Sequence, residues 1–513
     1  MSNVRKEHSC AAANARRPFY KKSENFVEPP DSAKQQQHEI YYSRDAVGDG
    51  GPLHITYLPK YSESHAYWHK TLNGLGLETN KSHLSGSNVG VWTNVVAVDP
   101  RTTTRSYSTP AYYLPNAHRP NLRVLTNAAV REIVLEQRGE QWTAAGVRFD
   151  HGDQTYTVAA LREVILSAGS VASPQLLELS GIGNPSVLER AGIEVKIPNR
   201  NVGENVQEHM SKFPSQMCEG VIANDRTVTA TIYEIDPSIQ TPEDLRSNAT
   251  LAAEADNLYE TTQSGPRAIL PCSICYVPFS HFTPQETLAD IAKRAPRSSL
   301  RENILADRLS SPAPRLGQIE YIFDVGNWSP FLKPSDPAKK YATMLQILQY
   351  PFSRGSVHIS PSDPYGKPQI DPQYYGNDNS VGTLDLELQV HCARFGQKLA
   401  QTEPLAQFIK GSSWPASTEL GDEELKQWII DNTITDWHPV GSCAMGGAHG
   451  IEGGVVDERL RVYGVRGLRV VDASVMPLQI SAHLQATVYA IAEKASEMIE
   501  EDRLMGAGES DVQ

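Results

Sequence analysis

The chain has 513 residues, 40% of them hydrophobic and 21% charged, a globular composition long enough for two domains or one large composite fold. Its 60 acidic and 47 basic residues leave a formal charge of -13, which opposes binding to a phosphate backbone, so no nucleic-acid partner is expected. No run approaches the ~20 apolar residues that span a bilayer, and the polar start Met1-Ser2-Asn3-Val4-Arg5-Lys6 has no apolar signal core, so neither a membrane partner nor secretion is expected and the location reads as cytoplasmic.

Residues 1–40 are polar and are expected to be loose, apart from one anchored patch at Pro18-Phe19-Tyr20. Residues 43–118 mix turns with short strands, and Gly48-Asp49-Gly50-Gly51-Pro52 is a turn signal because glycine supplies positive φ. Segment 1–118 is therefore read as partly irregular and shared between two domains. From 119 to 209 the pattern is clearer. Asn121–Leu125 and Val130–Glu136 alternate like half-buried strands, and Glu163-Val164-Ile165-Leu166 is a short continuous apolar strand. Ser173-Pro174 predicts a helix start, with Gly181 placed to end it after Leu179.

Residues 210–435 form a second unit, rich in proline and in short β-like runs such as Tyr321-Ile322-Phe323, Ser356-Val357-His358-Ile359 and Ile370-Asp371-Pro372. Within it, Asp236–Arg267 and Leu288–Arg315 look like inserted, partly helical surface segments, and 382–432 carries helical patterns. Residues 436–500 are the last organised segment and 501–513 a polar tail. The six cysteines are too few for a disulfide scaffold. Cys272-x-x-Cys275 has no second ligand pair nearby and is flanked by Pro271 and Pro278, so no metal is expected. The fold class expected is α/β (α+β).

Candidate chemistry gathers near the carboxyl end. In Trp437-His438-Pro439-Val440-Gly441-Ser442-Cys443, proline disfavours helix at the preceding residue and holds His438 extended, while Gly441 lets another surface approach. That suits a histidine projecting into a tight cavity, or a structural histidine on a turn. Gly467 to Ser474 reads as a buried strand running into a small-residue turn, followed by Ser481-Ala482-His483. Leu484, Val488, Ile491, Ala495 and Met498 then share one helical stripe, which puts His483 at or just before a helix N-terminus. Such an end has unpaired N–H groups and a positive dipole that favour an anion. A base for a hydroxyl proton and a positive end for developing negative charge are the parts that alcohol oxidation needs.

Ser173-Pro174-Gln175-Leu176-Leu177-Glu178-Leu179-Ser180-Gly181-Ile182-Gly183 closely resembles the second signature of the glucose–methanol–choline (GMC) oxidoreductases. His438-Pro439-Val440-Gly441-Ser442 resembles that family's catalytic-histidine segment, and Val471–Ser474 through His483 its flavin-contacting C-terminal segment. Pro351–Val357 and Asn121–Val130 are similar to two of its strand regions. The resemblance runs from about Pro18 to about Ile499 and is strongest to fungal members, including those of secondary metabolism. It implies a flavin (FAD) cofactor and a small-molecule alcohol substrate, aromatic or from secondary metabolism. It implies His438 as catalytic base or hydrogen-bonding partner of the substrate hydroxyl, and His483 as the second polar residue of the active site. Asp472 and Ala473, with Leu484 beside them, would border the flavin and its pyrophosphate, and Val130 the adenine. The implied architecture is an FAD-binding Rossmann-like domain, made of 119–209 and 436–500, with a substrate domain of 210–435 built on an antiparallel sheet with helices.

The resemblance also implies a strand, a Gly-x-Gly-x-x-Gly turn and a helix to seat the pyrophosphate. That pattern does not occur: Gly48-Asp49-Gly50, Gly74-Leu75-Gly76 and Gly181-Ile182-Gly183 are followed at the third position by Leu53, Thr79 and Ser186. The sequence thus reads as an N-terminally truncated member, with an incomplete nucleotide-binding domain, open strand faces and weakened flavin affinity. A redox-neutral cyclase or isomerase acting on a polyketide-like metabolite with the same histidine pocket, and an inactive remnant, are the alternative readings. Nothing in the sequence sets the oligomeric state.

Overall fold

From Ile319 to Val325 successive side chains point to opposite faces, so Ile319, Tyr321, Phe323 and Val325 share one face and Glu320, Ile322 and Asp324 the other. In the computed structural model, which describes residues 18–29, 38–209, 228–271, 273–311, 316–333, 336, 338–375 and 380–510, this strand lies inside an antiparallel sheet. The sheet order is Ile409–Trp414, Val228–Ile235, Lys340–Leu348, Ile319–Val325, Ser273–Val277 and Gly90–Thr93, with Thr433–Ile434 pairing the start of Val228–Ile235. The face bearing Tyr321 and Phe323 packs on Leu388, Cys392 and Phe395 of the long helix Ser380–Ala400, and Tyr321 donates its hydroxyl to the Cys392 carbonyl at 2.9 Å. The register sets Glu320 opposite Tyr276 on one side and Ile347 on the other, on the face turned away from that helix.

Helices Gln285–Arg294 and Leu300–Ser310 lie within the segment expected to be a surface insertion. Instead they bury Leu288, Ile291, Leu305 and Leu309 in the main core, because these apolar positions recur three and four residues apart and form an inward stripe. Cys275, Cys392 and Cys443 are free thiols and buried; Cys272, the other half of the Cys-x-x-Cys pair, lies outside the described residues.

A second core is built from chain segments far apart in sequence. The strands Ala128–Arg138, Gln141–His151 and Gln154–Ala159 make an antiparallel meander, and Val164–Leu166 runs parallel to Leu468–Val470. Ile133, Leu166 and Leu177 meet Val465, Val470 and Ala495 there. The mixed α/β class is as the sequence indicated, with three local corrections, to Asn121–Leu125, to the start of the helix ending at Leu179 and to the tail. Asn121–Leu125 forms no strand, since Val124 and Leu125 are both 56% exposed and have no surface to bury against. The helix expected to open at Ser173 begins four residues earlier, spanning Gly169–Leu179 with Pro174 inside it, and ends as expected before Gly181 at φ +85°. Residues 18–23 form a helical turn anchored, as expected for Pro18-Phe19-Tyr20, by a Tyr20–Thr487 hydroxyl contact of 2.9 Å. The tail after Glu500 is helical to Ser510 because Arg459 and Arg469 pair with Glu501 and Asp502.

Most of the exposed large apolar side chains among the described residues lie between Tyr107 and Ile165, with Leu161 at 98%. The strand Gln154–Ala159 is exposed along its whole length. Among the described residues, no helix is long and apolar enough to cross a membrane.

Candidate active site

The segment carrying His438 is stitched to the helix Gly169–Leu179 by the helix's own irregularity. Pro174 has no N–H for the Ser170 carbonyl, and that carbonyl instead accepts the Ser442 hydroxyl at 2.7 Å, while Ser170 donates its own hydroxyl to the Pro439 carbonyl at 2.6 Å. On the other side Gln207 and Val440 exchange backbone hydrogen bonds of 2.9 and 2.8 Å. Gly441, at φ +94°, is required here: a Cβ would stand 2.3 Å from the Asn205 carbonyl oxygen. The pairing of 205–207 with 440–441 brings His209 to His438.

His438 is held at every backbone polar atom. Its N–H donates to Glu208 Oε1 at 3.0 Å and its carbonyl accepts from Gln479 Nε2 at 2.9 Å. Glu208 also accepts from the Thr435 hydroxyl, and from the Tyr374 hydroxyl at 2.6 Å. Burial pushes the Glu208 carboxyl up to about 7. On the ring, His438 Nδ1 lies 2.9 Å from His209 Nδ1 and 2.7 Å from Asp436 Oδ2, and Nε2 is free of these contacts. His209 is fully buried and its Nε2 donates to the Ile480 carbonyl at 2.5 Å. Burial lowers the His209 imidazole from its ordinary range against the pull of Asp436. Burial works to raise Asp436, but the two imidazoles outweigh it and hold the carboxyl well below its ordinary range. Among the described residues His209, Asp436 and His438 are also the one group whose ligand atoms are close enough to converge on a metal ion.

His483 stands on the other side of His438, with ring centroids 5.6 Å apart. It precedes the helix Gln485–Ser510 by two residues, and the first residues of that helix, Gln485 and Ala486, are exposed. His483 Nε2 lies 2.9 Å from Oε1 of Glu320, a fully buried carboxylate. Burial would lower His483, yet the Glu320 charge outweighs it and raises the imidazole to about 9. The side chain is 42% exposed, so it meets solvent instead of filling a core. The two histidines singled out in the sequence are therefore neighbours, one of them held as a cation beside an open, positive helix end.

The other sequence candidates fall in different settings. Asp472 Oδ2 accepts from the Gly169 N–H at 2.9 Å and the Ser173 hydroxyl at 2.6 Å, while Oδ1 caps Ser474; the carboxylate is fully used in joining two turns. Ala473 is half-buried against Val440, Met476 and Leu484, and Leu484 is 6% exposed, its side chain packed within that cluster. Val130 stands apart, 39% exposed on the edge strand of the meander. His209, Glu208, Asp436 and Glu320 escaped the sequence reading. Asp436 sits two residues before His438, and Gln207-Glu208-His209 is a polar cluster ending the first α/β segment; these were the available signals. Glu320 had none beyond being one of two acidic residues in an otherwise apolar strand.

Comparison with known proteins shows which proteins the chain is similar to. Family models described as GMC oxidoreductase match residues 5–211 and 351–492. The chain is similar to the dehydrogenase citC of Monascus ruber, at 34% identity over 94% of this chain and 77% of that protein. Among solved structures it is similar to an FAD-dependent oxidoreductase from Chaetomium thermophilum, at TM-score 0.79 and 25% identity over 96% of this chain and 80% of that one. It is also similar to a fungal aryl-alcohol oxidase, at TM-score 0.78 and 25% identity over 96% of this chain and 79% of that one.

Proposed function

The chain belongs to the GMC oxidoreductase family, and from that premise we propose that it oxidises a small, aromatic alcohol with FAD, His438 taking the hydroxyl proton and His483 stabilising the negative charge that develops on the oxygen. The observation that carries this reading is the pairing of the two imidazoles 5.6 Å apart, each with its own buried or half-buried carboxylate. A cation and a base set side by side divide the two roles that proton abstraction requires. His438 presents Nε2, the nitrogen free of Asp436 and His209, as the proton acceptor. His483, with Glu320 behind it, supplies a charged hydrogen-bond donor for an alkoxide. FAD, when bound, supplies the hydride acceptor.

The fit to a flavin rests on the open helix end at Gln485 with His483 beside it, where negative charge on a reduced ring is favoured. His438, His483, Ala473 and the Leu484 backbone are the residues assigned to its reactive end, Asp472 to the turn that shapes its border, and Val130 to the adenine. The aromatic substrate class is drawn from the similarity to the fungal aryl-alcohol oxidase.

Anaerobic mixing of the full-length chain, reconstituted with FAD, with a benzylic alcohol should bleach the flavin absorbance. His438→Ala should slow that bleaching by about 10²–10⁴-fold, the usual worth of a general base. A chain that takes up no flavin, or that turns over a metabolite without flavin and without change of oxidation state, would overturn the reading in favour of a redox-neutral catalyst.

A further inference from the structure

We propose that Asp436 and His209 are positioning residues that fix His438 in the tautomer with its proton on Nδ1, so that the lone pair is left on Nε2. The inference deepens the reading of His438 as the base and rests on it for its catalytic consequence; the tautomer itself does not depend on it.

The reasoning starts at the deepest group. The Ile480 carbonyl oxygen can only accept, so the 2.5 Å contact from His209 Nε2 puts a proton on that nitrogen. His209 is fully buried, and the neutral ring is the form burial favours, so its Nδ1 carries a lone pair. Two imidazole nitrogens 2.9 Å apart share one proton, and since His209 Nδ1 has none, the proton is on His438 Nδ1. Asp436 Oδ2 lies 2.7 Å from His438 Nδ1, without a hydrogen bond, and 3.7 Å from His209, so its negative charge favours a proton on the His438 nitrogen first. One acceptor and one neighbouring negative charge thus hold the proton on Nδ1, and a neutral His438 has only Nε2 left as a base.

A metal ion shared by the same three atoms does not suit the spacing. Tetrahedral ligands at bond lengths of ~2.0–2.1 Å lie roughly 3.3 Å apart, whereas two of the three separations here are 2.7 and 2.9 Å, hydrogen-bond lengths. The charges around the ring also explain why a carboxylate is needed. On taking a proton, His438 becomes a cation with the already cationic His483 ring 5.6 Å away. Glu320 neutralises His483, Asp436 neutralises His438, and Glu208 faces the His438 backbone N–H, not the ring. Each imidazolium therefore has its own carboxylate.

The test uses the full-length chain labelled with ¹⁵N-histidine, with neither alcohol nor added flavin. Long-range proton–nitrogen spectra identify which ring nitrogen of His438 carries hydrogen, the signal being assigned by its loss in His438→Asn. The expected wild-type result is Nδ1 protonated and Nε2 bare. In Asp436→Asn the side-chain amide competes for Nδ1, so the population should move toward the Nε2–H form, and Asp436→Glu should restore the original tautomer. For alcohol oxidation, Asp436→Asn should lower kcat by about 10²–10⁴-fold with KM nearly unchanged, the signature of a misoriented base, with partial recovery in Asp436→Glu. A wild-type His438 protonated on Nε2 overturns the proposal whether or not any variant folds. So does a stoichiometric shift of both Nδ1 signals on adding zinc alone, or a folded Asp436→Asn with unchanged tautomer and kcat. If the tautomer behaves as stated but no alcohol is oxidised, the positioning arrangement stands and the alcohol-oxidation reading fails.

Discussion

Glu320 and His483 show how one buried carboxylate sets the behaviour of an imidazole that the sequence could only locate. Burial would favour the neutral ring, and the carboxylate 2.9 Å away reverses that preference, raising His483 to about 9. An imidazole raised on folding binds its proton more tightly in the native state than in the unfolded chain. The resulting stabilisation is complete below the unfolded value of ~6.5 and is lost as pH climbs through about 9. His358 behaves in the same direction, raised to about 9 by Glu178 and Glu204 although burial works to lower it. The melting temperature of the wild-type chain is therefore expected to fall between about pH 6.5 and 9. Glu320→Gln should make that fall smaller, because the His483 contribution is removed. Melting curves across the range check this, and equal slopes in the two proteins would remove the charge pairing at His483.

At the scale of elements, the turn before the helix Gly169–Leu179 and the turn after Leu468–Val470 are joined by a single carboxylate. Asp472 accepts from the Gly169 N–H, the Ser173 hydroxyl and the Ser474 N–H, and is 7% exposed. Asp472→Ala leaves these donors buried without an acceptor, at a cost of about 3 kcal/mol. Urea unfolding should show a lower midpoint at unchanged slope. The same joint explains an error in reading the sequence. Serine before proline is a sound helix-start signal, but here the turn that Asp472 secures starts the helix at Gly169. The carbonyl that Pro174 leaves unpaired is taken by Ser442, a residue more than 260 positions away. Asp385 plays a comparable part in the other body. It accepts the Phe352 and Ser353 N–H groups at 2.8 Å each and the Ser353 hydroxyl at 2.5 Å, holding the loop ahead of the strand Ser356–His358.

The molecule as a whole carries two kinds of apolar surface, and they should respond differently to substitution. Leu177 is fully buried where strands from both ends of the chain meet, and Leu177→Ala is expected to cost about 2–5 kcal/mol. Leu161 and Val158, 98% and 52% exposed, bury nothing comparable. Leu161→Glu and Val158→Glu should change stability by no more than about 0.5 kcal/mol while raising the protein concentration that stays monodisperse, since exposed apolar patches drive self-association. Chemical denaturation and light scattering of the purified variants separate the two effects. A loss of stability in Leu161→Glu comparable to that of Leu177→Ala would mean that the face is covered in solution.

The amino-acid sequence by itself determined what local physics controls. The β-like run Tyr321-Ile322-Phe323, the helical stripe after Leu484, the glycine that ends a helix at Gly181 and the His438-Pro439 and Ser481-Ala482-His483 segments all depend on near neighbours in the chain, and they were legible as written. Tertiary structure alone decided which distant groups share a space. Asn121–Leu125 has a strand's pattern and no strand, because a ladder needs a partner that pattern cannot supply. Glu320, Asp436 and His209 became part of the site only when a sheet register, a left-handed backbone at Trp437 (φ +57°) and a two-residue bridge at Gln207 and Val440 carried them to the two histidines. Charge and proton placement follow distance and burial in three dimensions, and a sequence encodes those only through the fold it adopts.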